Sequence, residues 1–164
     1  AMIESAAAPL DIALPDLAAT AGLAKALAAR ATLGDVVALH GDLGLGKTTF
    51  ARAFIQARPG GDAVAEVPSP TFTLVQVYEL PDVAVWHFDL YRLTNPEDAW
   101  ELGIEEAFAT GITLIEWPDR LGGLLPEERL DVELQAGADP NARRARLRGG
   151  AGWAKRLEGL STDA

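Results

Sequence analysis

The chain has 164 residues, no cysteine and two histidines, His40 and His87, which excludes thiol redox chemistry, zinc fingers, iron–sulfur clusters and a His-rich zinc site. Its 14 basic and 24 acidic residues leave a net charge of −10, a field that repels phosphate backbones and excludes broad, unaided binding of nucleic acid. Hydrophobic residues make up 49% of the chain, enough for a core without disulfides, and no run of about 18 apolar residues offers a membrane span. One domain over residues 1–164 is expected, monomeric when isolated and cytoplasmic. Met2 to Ala8 carries no positive charge, so a secretory leader is not expected, and Ala1 ahead of Met2 reads as a cloning remnant.

Leu10 to Leu14 alternates as a short strand does, and Pro15-Asp16 then opens a helix running to about Ala31, with Leu17, Ala21, Ala24, Leu27 and Ala28 at helical spacing. Val36 to Leu39 is a continuous apolar run, the pattern of a strand buried on both faces. A glycine-dense loop spans Gly41 to Gly46, and a helix from Lys47 to Arg58 is stopped by Pro59-Gly60-Gly61. A long aperiodic stretch follows to Pro70, of the kind that is usually functional. Thr71 to Glu79 and Val83 to Phe88 read as a hairpin around Pro81-Asp82. Asn95-Pro96-Glu97 opens an acidic helix to about Leu102, Ile104 to Phe108 adds another helical turn or two, and Ile112 to Trp117 is a strongly apolar strand. Leu130 to Gln135 and Arg144 to Leu147 predict a second hairpin, and Ala151 to Leu160 a terminal helix.

The segment Gly41-Asp42-Leu43-Gly44-Leu45-Gly46-Lys47-Thr48 matches G-x-x-x-x-G-K-[ST] between an apolar strand and a helical pattern. Glycines let successive N–H groups turn inward on an anion, and the following helix adds its positive end. Lys47 supplies a flexible cation for outer phosphates, and Thr48 a hydroxyl for magnesium. Such a loop needs acidic groups to hold Mg²⁺ and position water. Asp89 and Glu116 each end an apolar strand and are the candidates; the alternative for either is a solvated strand end. The hydroxyls of Ser69, Thr71 and Thr73 suit a γ-phosphate sensor, or equally ordinary turn chemistry.

The ordered set Gly-Asp-Leu-Gly-Leu-Gly-Lys-Thr-Thr (41–49), Ser-Pro-Thr-Phe-Thr-Leu-Val (69–75), His-Phe-Asp-Leu-Tyr-Arg-Leu (87–93) and Glu-Trp-Pro (116–118) resembles the TsaE family, also called YjeE. These are small bacterial P-loop ATPases required for N6-threonylcarbamoyladenosine on tRNA. The resemblance runs from about Leu14 to Leu134; the tail from about 135, locally basic, matches poorly. It implies an α/β fold, a mostly parallel sheet flanked by helices with additional antiparallel strands. It implies ATP and Mg²⁺, action with a TsaD-type transferase and a TsaB-type partner, and tRNA reached only through that complex. By the same resemblance Gly41, Leu43 to Thr49 and Trp117 bind the nucleotide, Thr48 and Glu116 hold Mg²⁺, and Asp89 is the Walker-B-like acid, on the metal directly or through water. Ser69 to Thr73 resembles the first switch, with Thr71 at the reacting phosphate, and Glu116-Trp117 the second. The first turn of the opening helix, Leu17 to Thr20, would lie near adenine.

The implied activity is ATP hydrolysis, weak alone and stimulated by partners. Which carboxylate is the base and which mainly binds metal stays open. Two alternatives stand beside it: a P-loop small-molecule kinase, and a nucleotide-gated interaction module with little turnover. A GTPase is disfavoured, since no Asn-Lys-x-Asp motif occurs.

Overall fold

The computed structural model describes residues 9–64 and 74–160. Seven strands form one sheet: β1 (Leu10–Leu14), β2 (Val36–His40), β3 (Val75–Glu79), β4 (Ala84–Asp89), β5 (Gly111–Glu116), β6 (Leu130–Ala136) and β7 (Arg143–Gly149). Their order is β1-β7-β6-β2-β5-β4-β3. The central strands β6, β2, β5 and β4 are mutually parallel. Antiparallel partners flank them: β3 on β4 at one end, β7 and then β1 at the other. This is the expected α/β fold, and both hairpins form; of the first strand predicted from Thr71, residues 71–73 lie outside the described residues and β3 covers Val75–Glu79.

Helices α1 (Leu17–Arg30) and α2 (Lys47–Ala57) cover one face of the sheet. There Leu23, Leu27, Phe50 and Phe54 pack on Val37, Leu39, Ile112 and Leu114. The Asp16 side chain caps α1, accepting from the N–H of Ala19 at 2.8 Å. The opposite face carries a smaller core of Val36, Phe88, Ile104 and Ile115 under α3 (Ile104–Thr110) and two 3-10 segments. Because alternate residues of β2 and β5 feed the two cores, β5 is buried throughout and β2 at every position but His40, which explains their unbroken apolar runs.

Two elements differ in kind from expectation. The acidic stretch Pro96–Leu102 is a 3-10 helix that ends where Gly103 turns left-handed, with φ 84°. The terminal helix α4 spans only Ala151–Ala154, and turns carry the chain to Leu160. Beyond α4 the Arg156 guanidinium donates to the carbonyls of Gly152 and Arg30 and to the Asp35 carboxylate, tying the turns that follow α4 to the end of α1. A further 3-10 segment, Pro118–Leu124, was not foreseen; it opens directly after Trp117 and so shapes the site.

Candidate functional site

The parallel strands β2, β4 and β5 end on the same edge of the sheet, and the glycine loop leaves β2 there. In an open α/β sheet this edge is where ligands bind. A cavity of about 470 Å³ opens on it. Leu43, Gly44, Gly46, Lys47, Thr48 and Thr49 form one wall; Asp89, Tyr91, Arg92, Glu116 and Trp117 form the other.

Gly41 and Gly46 show why the loop needs glycine. Gly41 has φ 144°, and a Cβ there would stand 2.9 Å from the carbonyl oxygen of Leu134. Gly46 caps α2 in the left-handed region at φ 97°, which turns the chain into the helix with its first N–H groups directed at the cavity. Leu45 tucks its side chain partly against the core, so its size leaves the loop backbone undisturbed.

Lys47, the first residue of α2, is 5% exposed. Its Nζ donates to the carbonyl of Gly41 and, at 3.1 Å, to that of Asp42, and lies 3.9 Å from the centroid of the Trp117 ring. Burial pulls the Lys47 pKa down, while Glu116, Asp89, Asp42 and Asp119 oppose the shift by favouring the charged form.

The Thr48 hydroxyl donates to both oxygens of Glu116, each at 2.9 Å. Glu116 is 3% exposed, and its Oε2 lies 2.7 Å from Nε2 of the fully buried His87. With Nε2 facing a carboxylate, that nitrogen carries the proton. The other ring nitrogen, Nδ1, has no hydrogen-bond partner among the described residues. Asp89 is 6% exposed and stands beside Glu116, its register partner across β4 and β5. Its Oδ1 accepts from the N–H of Tyr91 at 3.1 Å, an Asx turn that bends the chain into the cavity wall. Neither carboxylate is a solvated strand end.

Trp117 is a non-glycine residue at φ 59°, ψ 52°. Left-handed backbone at such a residue costs about 1–2 kcal/mol, and here it swings the indole over Lys47. Tyr91 packs on the indole at 5.0 Å between centroids.

The structure thus brings Leu43, Gly44, Gly46, Lys47, Thr48, Thr49, Asp89, Glu116 and Trp117 to one cavity, with Gly41 and Leu45 in the same loop. Leu17 is exposed in the first turn of α1 and Thr20 is buried beneath it; neither lines the cavity. Ser69, Thr71 and Thr73 lie outside the described residues. Sequence reasoning gave no role to His87, Tyr91 or Arg92. For His87 the missing signal is the register of β4 against β5, which alone reveals its reach to Glu116. Arg92, three residues after the end of β4, looks like any surface arginine until the cavity is drawn.

The chain is similar to known proteins along most of its length. Residues 14–145 match the family described as threonylcarbamoyl adenosine biosynthesis protein TsaE. A relative from Rickettsia bellii, named tRNA threonylcarbamoyladenosine biosynthesis protein TsaE, is 44% identical over 116 residues, covering 71% of this chain and 79% of its own length. The Bacillus subtilis protein of the same name is 38% identical over 121 residues, 73% of either chain. The crystal structure of Bacillus subtilis YdiB superposes with a TM-score of 0.73 at 29% identity, covering 92% of this chain and 91% of that one. With the P-loop, the paired carboxylates and a family match over most of its length, the chain belongs to the TsaE family.

Proposed function

We propose that this chain is a single-domain, Mg²⁺-dependent ATPase that serves threonylcarbamoyladenosine formation at adenosine 37 of tRNA, together with a TsaD-type transferase and a TsaB-type partner. The relatives' names support the pathway, and one observation carries the chemistry. At the N-terminus of α2, beside the glycine loop, the Lys47 ammonium, the Thr48 hydroxyl and the buried Glu116 carboxylate converge. The Thr48 hydroxyl and the Glu116 and Asp89 carboxylates are hard oxygen donors that suit Mg²⁺, which when bound would neutralise phosphate charge.

The chain's own groups do the rest. Loop N–H groups and the positive end of α2 hold the phosphates, and Lys47 leaves its carbonyl partners for the outer phosphate oxygens. Asp89 or Glu116 orients a water in line with the γ-phosphorus and takes its proton as the new P–O bond forms. The bond from the γ-phosphorus to the bridging oxygen breaks, and ADP leaves. Thr71 is proposed to sense the γ-phosphate, and Leu17 and Thr20 to lie near adenine; these assignments rest on the resemblance to the family. A cytoplasmic monomer fits them, and among the described residues no helix is long and apolar enough to cross a membrane.

Phosphate release from ATP, with and without the TsaB–TsaD-type pair, tests the reading. Slow release by the chain alone and at least about a tenfold rise with the pair are expected, the pair completing or ordering the site. No release in either case, or transfer of the phosphoryl group to a small-molecule acceptor, would overturn it.

A further inference from the structure

Arg143 opens β7, in the basic tail that sequence reading left without a role, yet its side chain reaches the phosphate loop. Its Nε donates to the carbonyl of Leu45 at 2.9 Å, and one terminal nitrogen lies 3.4 Å from the carbonyl of Gly44. The other terminal nitrogen donates to the carbonyls of Pro140 and Ala142 at 2.8 and 2.7 Å, which anchors the guanidinium in the β6–β7 turn. One planar fork therefore joins the loop to the start of β7, two strands from β2 in the sheet and 98 residues away in sequence.

We propose that Arg143 is a positioning residue that holds the phosphate loop in its anion-binding conformation; the proposal rests on reading the cavity as a nucleotide site. In a trans peptide the C=O and the following N–H point in opposite directions. The two carbonyls Arg143 takes belong to the peptides that carry the N–H groups of Leu45 and Gly46. Drawing those carbonyls outward turns both N–H groups toward the inside of the loop. The Leu45 N–H makes only a long bond there, 3.4 Å to the Asp42 carbonyl, which an anion can replace. A cation on the carbonyl side also polarises each peptide, leaving its N–H more positive. With glycine at 44 and 46, the loop backbone has many conformations open to it. A clamp set before the ligand arrives removes that ordering cost from binding.

Lysine at 143 keeps the charge but not the fork, so it can reach one carbonyl and not both. Neighbouring Arg144 is exposed on the other face of β7 and serves as a control. Binding of ADP with Mg²⁺ is measured by calorimetry on the full chain, beside thermal unfolding of the same samples without nucleotide. Arg143→Ala is expected to weaken ADP binding about tenfold, the scale of one charge-assisted hydrogen bond. Arg143→Lys should recover part of that loss, and Arg144→Ala should bind as the unsubstituted chain does. Amide exchange at Leu45 and Gly46 should speed up in Arg143→Ala, a local change that general loosening of the sheet would not confine to the loop. Arg143→Ala binding ADP within about twofold of the unsubstituted chain would overturn the proposal, as would an equal loss in Arg144→Ala. If Arg143→Ala does not fold, Arg143→Lys decides: about threefold weaker binding supports the clamp, and unchanged affinity overturns it. An unsubstituted chain that binds no ADP overturns the nucleotide reading, and the clamp with it. That result is distinct from one in which the unsubstituted chain binds and the variant binds equally well.

Discussion

Single side chains set the chemistry of the cavity. Lys47 rests on two carbonyls of its own loop and under the Trp117 ring, so it is preorganised beside the phosphate position. Lys47→Ala should abolish turnover and weaken ADP binding, since among the described residues no other lysine lines the cavity. Near-normal phosphate release from that variant would contradict the role. Glu116→Ala and Asp89→Ala should each slow hydrolysis by at least about a hundredfold, the scale of a lost general base. A separate residue-scale prediction concerns Asp131, on β6. Burial pushes its pKa up, but hydrogen bonds from His40 and Arg129, at 2.7 and 3.0 Å, outweigh burial and hold it below its usual 3.8. A lowered carboxylate pKa stabilises the fold above the unfolded value, and that contribution fades as pH falls through the folded one. Urea unfolding from neutral pH down to about pH 3 should therefore show an acid limb that flattens in Asp131→Asn, with about 1 kcal/mol lost at neutral pH. At this scale Asp89 and Glu116 were legible because each ends an apolar run. The bond from His87 to Glu116 was not, because it exists only between strands.

Elements explain why the loop sits where it does. Helix α2 must start at Lys47 and stop before the segment that leads toward β3, and Gly61 tests how tightly its end is held. A Cβ on Gly61 would stand 1.9 Å from the carbonyl oxygen of Ile55, inside the last turn of α2. Gly61→Ala should cost about 2 kcal/mol or more, through displacement of that turn. Gly22, on the exposed side of α1, has open space where a Cβ would go. Gly22→Ala should raise stability by about 0.5–1 kcal/mol by removing conformational freedom from the unfolded chain. Chemical denaturation of the two variants should give opposite signs, since Gly61 is packed against the end of α2 and Gly22 faces open space within α1. Periodicity made α1, α2 and the buried strands legible, since each buries a repeating apolar face. The 3-10 segment after Trp117 and the shortened α4 were not, because neither is long enough to show a repeating apolar face.

For the whole molecule, charge bears on the partners. A net of −10 gives little purchase on a phosphate backbone, so the isolated chain should not bind tRNA below micromolar concentrations in about 0.15 M salt. Filter binding or anisotropy with tRNA, with and without the TsaB–TsaD-type pair, checks this, and tight binding by the chain alone would contradict it. Sequence by itself determined the α/β class, the glycine loop, the two acidic strand ends and the family, because each is a local pattern of spacing and residue type. Tertiary structure alone decided the strand order, which inserts β7 between β1 and β6 and so carries Arg143 to the loop. It also decided the left-handed turn that lays Trp117 over Lys47 and the burial of His87 against Glu116. The reason is physical: a hydrogen bond between residues nearly a hundred positions apart depends on which strands pair and in what register, and long-range packing chooses both.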